Sequence, residues 1–122
     1  MIEVNGVLIP LLPANSYNAS TNGTGVDILD YTGNMMVILD ATKISGTDPT
    51  LDVKIQESAD NSTWSDISGA EFTQVTTASF KKITLNADGL KRYIRAVATL
   101  GGTSPVFAIS CNAVGIKQRM SQ

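Results

Sequence analysis

The acidic residues offer the first chemistry to weigh. Asp60 and Asp66 bracket Asn61, Ser62 and Thr63, and a loop of oxygen donors with two carboxylates is the kind of site that holds Ca²⁺. Counted from Asp60, however, Trp64 takes the fifth place of an EF-hand loop and glycine is missing from the sixth. Only Glu71, at the twelfth, agrees. A turn in which Asp60 and Asn61 bond their own backbone, with Trp64 plugging one end of the domain, accounts for the same residues. Asp27, Asp30 and Asp40 invite comparison with a glycosidase pair, which needs two carboxyls at a defined separation on one site. Asp27 and Asp30 have opposite strand parity and project to opposite faces. No histidine occurs anywhere in the chain, which removes the side chain most used for acid–base and metal chemistry near neutral pH. The single cysteine, Cys111, lies in the apolar run 106–114 with no imidazole to activate it, and reads as a small buried hydrophobe. The sequence has no Ser/His/Asp set, phosphate-cradling glycine loop or cysteine cluster. The expectation is a protein that is not an enzyme and that uses no metal or cofactor.

The elements around these residues read as short strands. Leu51, Val53 and Ile55 alternate with Asp52, Lys54 and Gln56, so one face is dry and the other wet. Residues 35–42 are instead almost continuously apolar, as expected for a strand covered on both faces or lying at an interface. Residues 77–86 carry Phe80, Ile83 and Leu85, with a bulge near Lys81 expected to reset the parity, and another near Gly89. Residues 92–100 alternate, Gly101-Gly102-Thr103-Ser104 reads as a hairpin turn, and residues 106–114 are expected to return alongside. Ser45-Gly46-Thr47-Asp48-Pro49 reads as a loop of turn formers. Roughly eight strands at 8–12-residue spacing, with no amphipathic helix, predict an all-β, antiparallel two-sheet β-sandwich. Periodicity leaves jelly-roll and immunoglobulin-like strand orders both open. Tyr93, just after the Asn86-Ala87-Asp88-Gly89 corner, is placed as a tyrosine corner would be. Most of the seven aromatics are expected in the core, with Tyr17 alone in an exposed segment.

At 122 residues the chain fits one domain, which at this size hides about two-thirds of its unfolded surface. Residues 1–25 form an extended N-terminal arm and polar linker, and residues 26–122 the β-sandwich domain. The arm holds the apolar plug Val7, Leu8, Ile9, Leu11 and Leu12, interrupted by Pro10 and followed by Pro13. Prolines restrict such a strand to a sheet edge, either of its own domain or of another chain, and these five residues are the candidate interface. Glu3 stands where a signal peptide carries positive charge, and the plug is too short to span a membrane, so neither export nor membrane anchoring is expected. Residues 1–71 hold ten acids and two bases; residues 72–122 hold one acid and seven bases. Either acidic and basic strands pair across the ladder, at about 0.2–1 kcal/mol per pair, or the charges stay apart and orient docking. With so few bases and a pI near 4.8, nucleic acid is not an expected partner.

Three stretches carry a family resemblance. Val53-Lys54-Ile55-Gln56-Glu57-Ser58-Ala59-Asp60-Asn61-Ser62-Thr63-Trp64-Ser65-Asp66-Ile67, the run Leu90-Lys91-Arg92-Tyr93-Ile94-Arg95-Ala96-Val97-Ala98-Thr99, and Gly101-Gly102-Thr103-Ser104-Pro105 resemble the small capsid cement, or decoration, proteins of tailed bacteriophages. The resemblance spans residues 51–110, about half the chain. It implies a jelly-roll-like domain, a homo-oligomer (dimer or trimer) made in the host cytoplasm, located in the virion on the capsid exterior, and bound to the major capsid protein. It transfers no catalytic residue. The rival expectation is a carbohydrate-binding module or tail-associated adhesin, which requires two or three coplanar aromatics exposed on one face.

Overall fold

Two strands of unusual length organise the molecule. The computed structural model describes residues 5–117; Glu3 and Arg119, counted in the charge distribution above, lie outside them. The elements are β1 (Asn5–Tyr17), β2 (Thr21–Asn22), β3 (Val26–Asp27), β4 (Tyr31–Ser58), β5 (Ser65–Glu71), β6 (Ala78–Asn86), a 3₁₀ turn (Ala87–Gly89) and β7 (Tyr93–Lys117). All strand pairs are antiparallel, and hydrogen bonds join the seven strands into one sheet in the order β1-β7-β4-β5, with β2 and β3 on β7 and β6 on β4. The chain is all-β, with no α-helix among the described residues.

β4 and β7 run 28 and 25 residues and pair along nearly their whole length, from Tyr31↔Lys117 to Ser58↔Tyr93. The turn formers that read as a loop at 45–49 and a hairpin at 101–104 are therefore bends inside two continuous strands, and residues 92–100 do not pair with 106–114. The physical reason is registration: Thr47 faces Thr103 and Thr50 faces Gly101, so both strands carry their irregular residues at one level and bend together without losing the ladder. Gly46 (φ 121) and Gly102 (φ 94) take left-handed backbone there, as do Asp48 and Ser104. A Cβ on Gly102 would run into the Asp48 carbonyl, and one on Gly46 would lie 2.9 Å from Pro105 Cα.

The bend divides the sheet into two halves. In the first, β1, residues 106–117 of β7, residues 31–45 of β4, and β6 lie side by side. In the second, residues 93–101 of β7 pair with residues 50–58 of β4, flanked by β2 and β3 on one side and β5 on the other. Both halves feed one core. Met35, Val37, Leu39 and Ala41 come from the first, with Phe107, Ile109, Cys111 and Ala113. Leu51, Val53, Ile55, Ile94, Ala96 and Ala98 come from the second. β1 adds Ile9, Leu11 and Leu12, each at most 5% exposed. Gly23, which donates its N–H to Ala96 O at 2.7 Å, also abuts the Leu11 carbonyl so closely that a Cβ has no room. An edge of the second half thus touches an edge of the first.

Four expectations change in detail. β6 pairs with β4 through nine consecutive residues without a break, so no bulge resets parity at Lys81. Ser79, Lys81, Ile83 and Leu85 lie opposite the buried Ala41, Leu39, Val37 and Met35, and Phe80 points outward, 75% exposed. The corner near Gly89 is a 3₁₀ turn whose preceding Asn86 side chain accepts from Asp88 N at 3.0 Å. Tyr17 packs partly against the core and donates its hydroxyl to Pro13 O at 2.7 Å, fixing the end of β1. The Tyr93 hydroxyl has no hydrogen-bond partner among the described residues; its ring lies under the Arg92 guanidinium at 5.4 Å.

Candidate functional site

Three of the carboxylates that suggested ion or sugar chemistry, Asp27, Asp60 and Asp66, are bonded by groups of their own chain. Asp60 Oδ1 accepts from Ser58 Oγ (2.9 Å), Ser62 N (3.0 Å) and Thr63 N (2.9 Å), and these bonds, the two backbone donors first, hold its carboxyl below the ordinary range. Asp66 accepts from Gln56 Nε2 at 2.9 Å and Lys54 Nζ at 3.1 Å, which lowers it in the same way. Asp27 takes Arg92 Nη2 at 2.8 Å and Leu29 N at 2.9 Å, and is likewise lowered. Asp60 and Asp66 therefore turn to separate sets of protein donors, and Asp27 pairs with a guanidinium rather than with Asp30 or Asp40. Cys111 is fully buried, and burial pushes its thiol up to about 12, so thiolate chemistry is suppressed. Among the described residues no three His, Cys, Asp or Glu side chains converge as metal ligands, and no helix is long and apolar enough to cross a membrane.

Charge pairing across the ladder accounts for only two ion pairs among the described residues, Lys54–Asp66 and Arg92–Asp27. Lys81 and Lys82 form none. The outer face of the second half is nonetheless polar and closed on itself. Arg95 stacks over the Trp64 ring at 4.5 Å and donates from Nε and Nη2 to Gln56 Oε1 at 2.9 and 2.8 Å, while Gln56 passes its own donor to Asp66. Trp64 sits against Gly25, where a Cβ would lie 2.9 Å from the ring.

The first half presents a different outer face. Strand parity turns Met36 and Ile38 away from the core side of Met35, Val37 and Leu39, and both stay partly exposed there among the described residues. Register then assembles an apolar strip: Leu8 faces Val114, which faces Met36; Pro10 and Ile38 flank Asn112 in the next row, and Ile116 lies beside Gly6 in the row before. Leu8 is 63% exposed, and Met36, Ile38, Val114 and Ile116 are each partly exposed. Beyond the strip, Asp40, Thr42, Ala108 and Ser110 line a shallow depression of about 410 Å³ under Asn15 and Ser16.

The five arm residues expected at an interface separate here. Ile9, Leu11 and Leu12 are buried against the chain's own core, Val7 packs partly against it, and Leu8 alone projects outward into the strip. Met36, Ile38, Val114 and Ile116 were not singled out from the sequence. The signal for two of them was the unbroken apolar run at 35–39, which exceeds what a half-buried strand requires.

No family model matches the chain, and no curated protein matches it. Among solved structures, it is similar to the crystal structure of the SPBc2 prophage-derived protein YomS, with a TM-score of 0.61 and 6% sequence identity over 96% of this chain and 97% of that one. At that identity the likeness is one of fold.

Proposed function

We propose that the chain is a viral structural protein: a cement, or decoration, protein that binds the outside of a tailed-phage head and bridges major capsid subunits. The observation that carries this reading is the apolar strip of Leu8, Met36, Ile38, Val114 and Ile116 on a firmly paired sheet. A contiguous exposed apolar patch marks a surface that another macromolecule covers. A further observation supports it: the fold is similar to that of a prophage-derived protein. In this reading the bent sheet packs as a two-layer, jelly-roll-like sandwich, and the partner is the major capsid protein, with no nucleic acid, membrane or cofactor involved.

Copies of the protein associate as a dimer or trimer. The arm residues Ile9, Leu11 and Leu12 pack on the chain's own core, and in the oligomer they either stay so docked or make the same contacts on a neighbour's β7. Bridging acts by mass action: contact area that exists only in the assembled shell stabilises that shell. A glycan-binding role is less well supported, because Phe80 is the one strongly exposed aromatic while Phe72 and Phe107 are buried. The test is to add purified protein to heads of the virus that encodes it and sediment them. Stoichiometric, saturable co-sedimentation is expected; protein that stays in the supernatant at micromolar concentration contradicts the proposal.

A further inference from the structure

Open sheet edges invite additional strands, and proteins blunt them with prolines, bulges, short strands or charge. Most edges here are blunted by geometry. β1 carries Pro10 and Pro13, with register breaks between Pro10 and Leu12 and between Leu12 and Asn15. β2 and β3 are two residues each. β5 is bulged between its pairings with Lys54 and Gln56. β6 differs: nine residues pair with β4 without a register shift, none is proline, and no strand among the described residues pairs with its other side.

What guards β6 is charge alone. Lys81 and Lys82 are exposed, form no ion pair among the described residues, and project to opposite faces, Lys81 opposite Leu39 and Lys82 opposite Ile38. Beside them Phe80 stands 75% exposed. Pairing β6 with β6 of a second copy would gather four lysines along one seam, and like charges facing across a ladder oppose pairing. A strand bearing carboxylates at two consecutive positions meets the opposite condition, because consecutive residues also point to opposite faces and each acid finds one lysine.

We infer that β6 is a strand-docking edge, which accepts in antiparallel fashion an extended segment of a different polypeptide carrying two adjacent acidic residues, with an apolar side chain beside them to cover Phe80. Main-chain hydrogen bonds supply the attachment, and the lysines select the partner. The inference concerns an edge rather than the apolar face, and it stands whether or not that face meets a capsid.

The test titrates the full-length protein with a peptide matching the nine residues of β6, built of valine and threonine with two consecutive glutamates at its centre, and with a counterpart carrying lysines there. Amide hydrogen exchange and affinity are followed by NMR. The glutamate peptide is expected to slow exchange at residues 78–86 and to bind at least about tenfold tighter than the lysine peptide. The double variant Lys81→Glu, Lys82→Glu is expected to reverse that preference. Val114→Glu, on the apolar face, leaves peptide binding unchanged, which separates this edge from head attachment. Unaltered exchange at 78–86, equal affinity for the two peptides, or a self-associated protein whose β6 amides are already protected overturns the inference.

Discussion

The two halves of the bent sheet share a core and differ on their outer faces. Around Arg95 the second half ends in a closed polar network, where Trp64, Gln56, Asp66 and Lys54 satisfy one another. Around Val114 the first half ends in the apolar side chains of Leu8, Met36, Ile38 and Ile116, which stay partly or largely exposed among the described residues. The same two strands, β4 and β7, build both faces, so the difference lies in the residues at outward positions and not in the backbone. A face whose polar groups are mutually bonded is finished in the monomer; a face with an exposed Leu beside partly exposed Met, Ile and Val gains further burial when covered.

The comparison is broken most forcefully from inside. Leu39→Ala in the first half and Ile55→Ala in the second each empty a fully buried position, and each is expected to cost about 2–5 kcal/mol in urea unfolding. A cost under about 1 kcal/mol at either site would mean that this half does not share the core. The bend that separates the halves comes next. Gly102→Ala forces a side chain into left-handed backbone and against the Asp48 carbonyl, with an expected loss of about 1–3 kcal/mol. Gly33, also at positive φ but with open space around it, is expected to lose less when replaced by Ala, as thermal melting will show.

On the polar face, Arg95→Ala removes the stack on Trp64 and both bonds to Gln56, an expected cost of about 1–2 kcal/mol. The acid side of the stability profile tests the carboxylates. The carboxyls of Asp27, Asp60 and Asp66 are lowered in the folded chain, so their contribution is present above the ordinary carboxylate pKa of about 4 and is lost as the pH falls through the folded values. Replacing Asp60 by Asn is expected to flatten the decline of melting temperature below about pH 4. An unchanged acid limb would show that the bonds from Ser58, Ser62 and Thr63 do not favour the ionised form.

Much of this arrangement was legible in the sequence. The alternation of Leu51, Val53 and Ile55 with polar neighbours identified a strand with one dry face, and the excess apolarity of residues 35–39 pointed to a face in need of cover. The continuity of β4 and β7 was not legible, because it depends on Gly46 and Asp48 meeting Gly102 and Ser104 at one level of a ladder between residues more than fifty positions apart. Phe80 departs from its expected core placement for a local reason: its parity opposes that of Ile83 and Leu85, and β6 has no bulge at Lys81 to reverse it. The strip itself draws Leu8, Met36 and Val114 from three distant segments, and only register brings them into one row.

In the proposed role, the apolar face of the first half is the surface that meets the capsid. Val114→Glu and Arg95→Ala, compared side by side in sedimentation with phage heads, test it most directly. Val114→Glu, at a partly exposed position, is expected to keep the folded circular-dichroism spectrum of the unmodified protein yet to remain in the supernatant. Arg95→Ala, though less stable, is expected to sediment with the heads. Retained sedimentation of Val114→Glu, with loss for Arg95→Ala, would place the contact on the polar face and contradict the account.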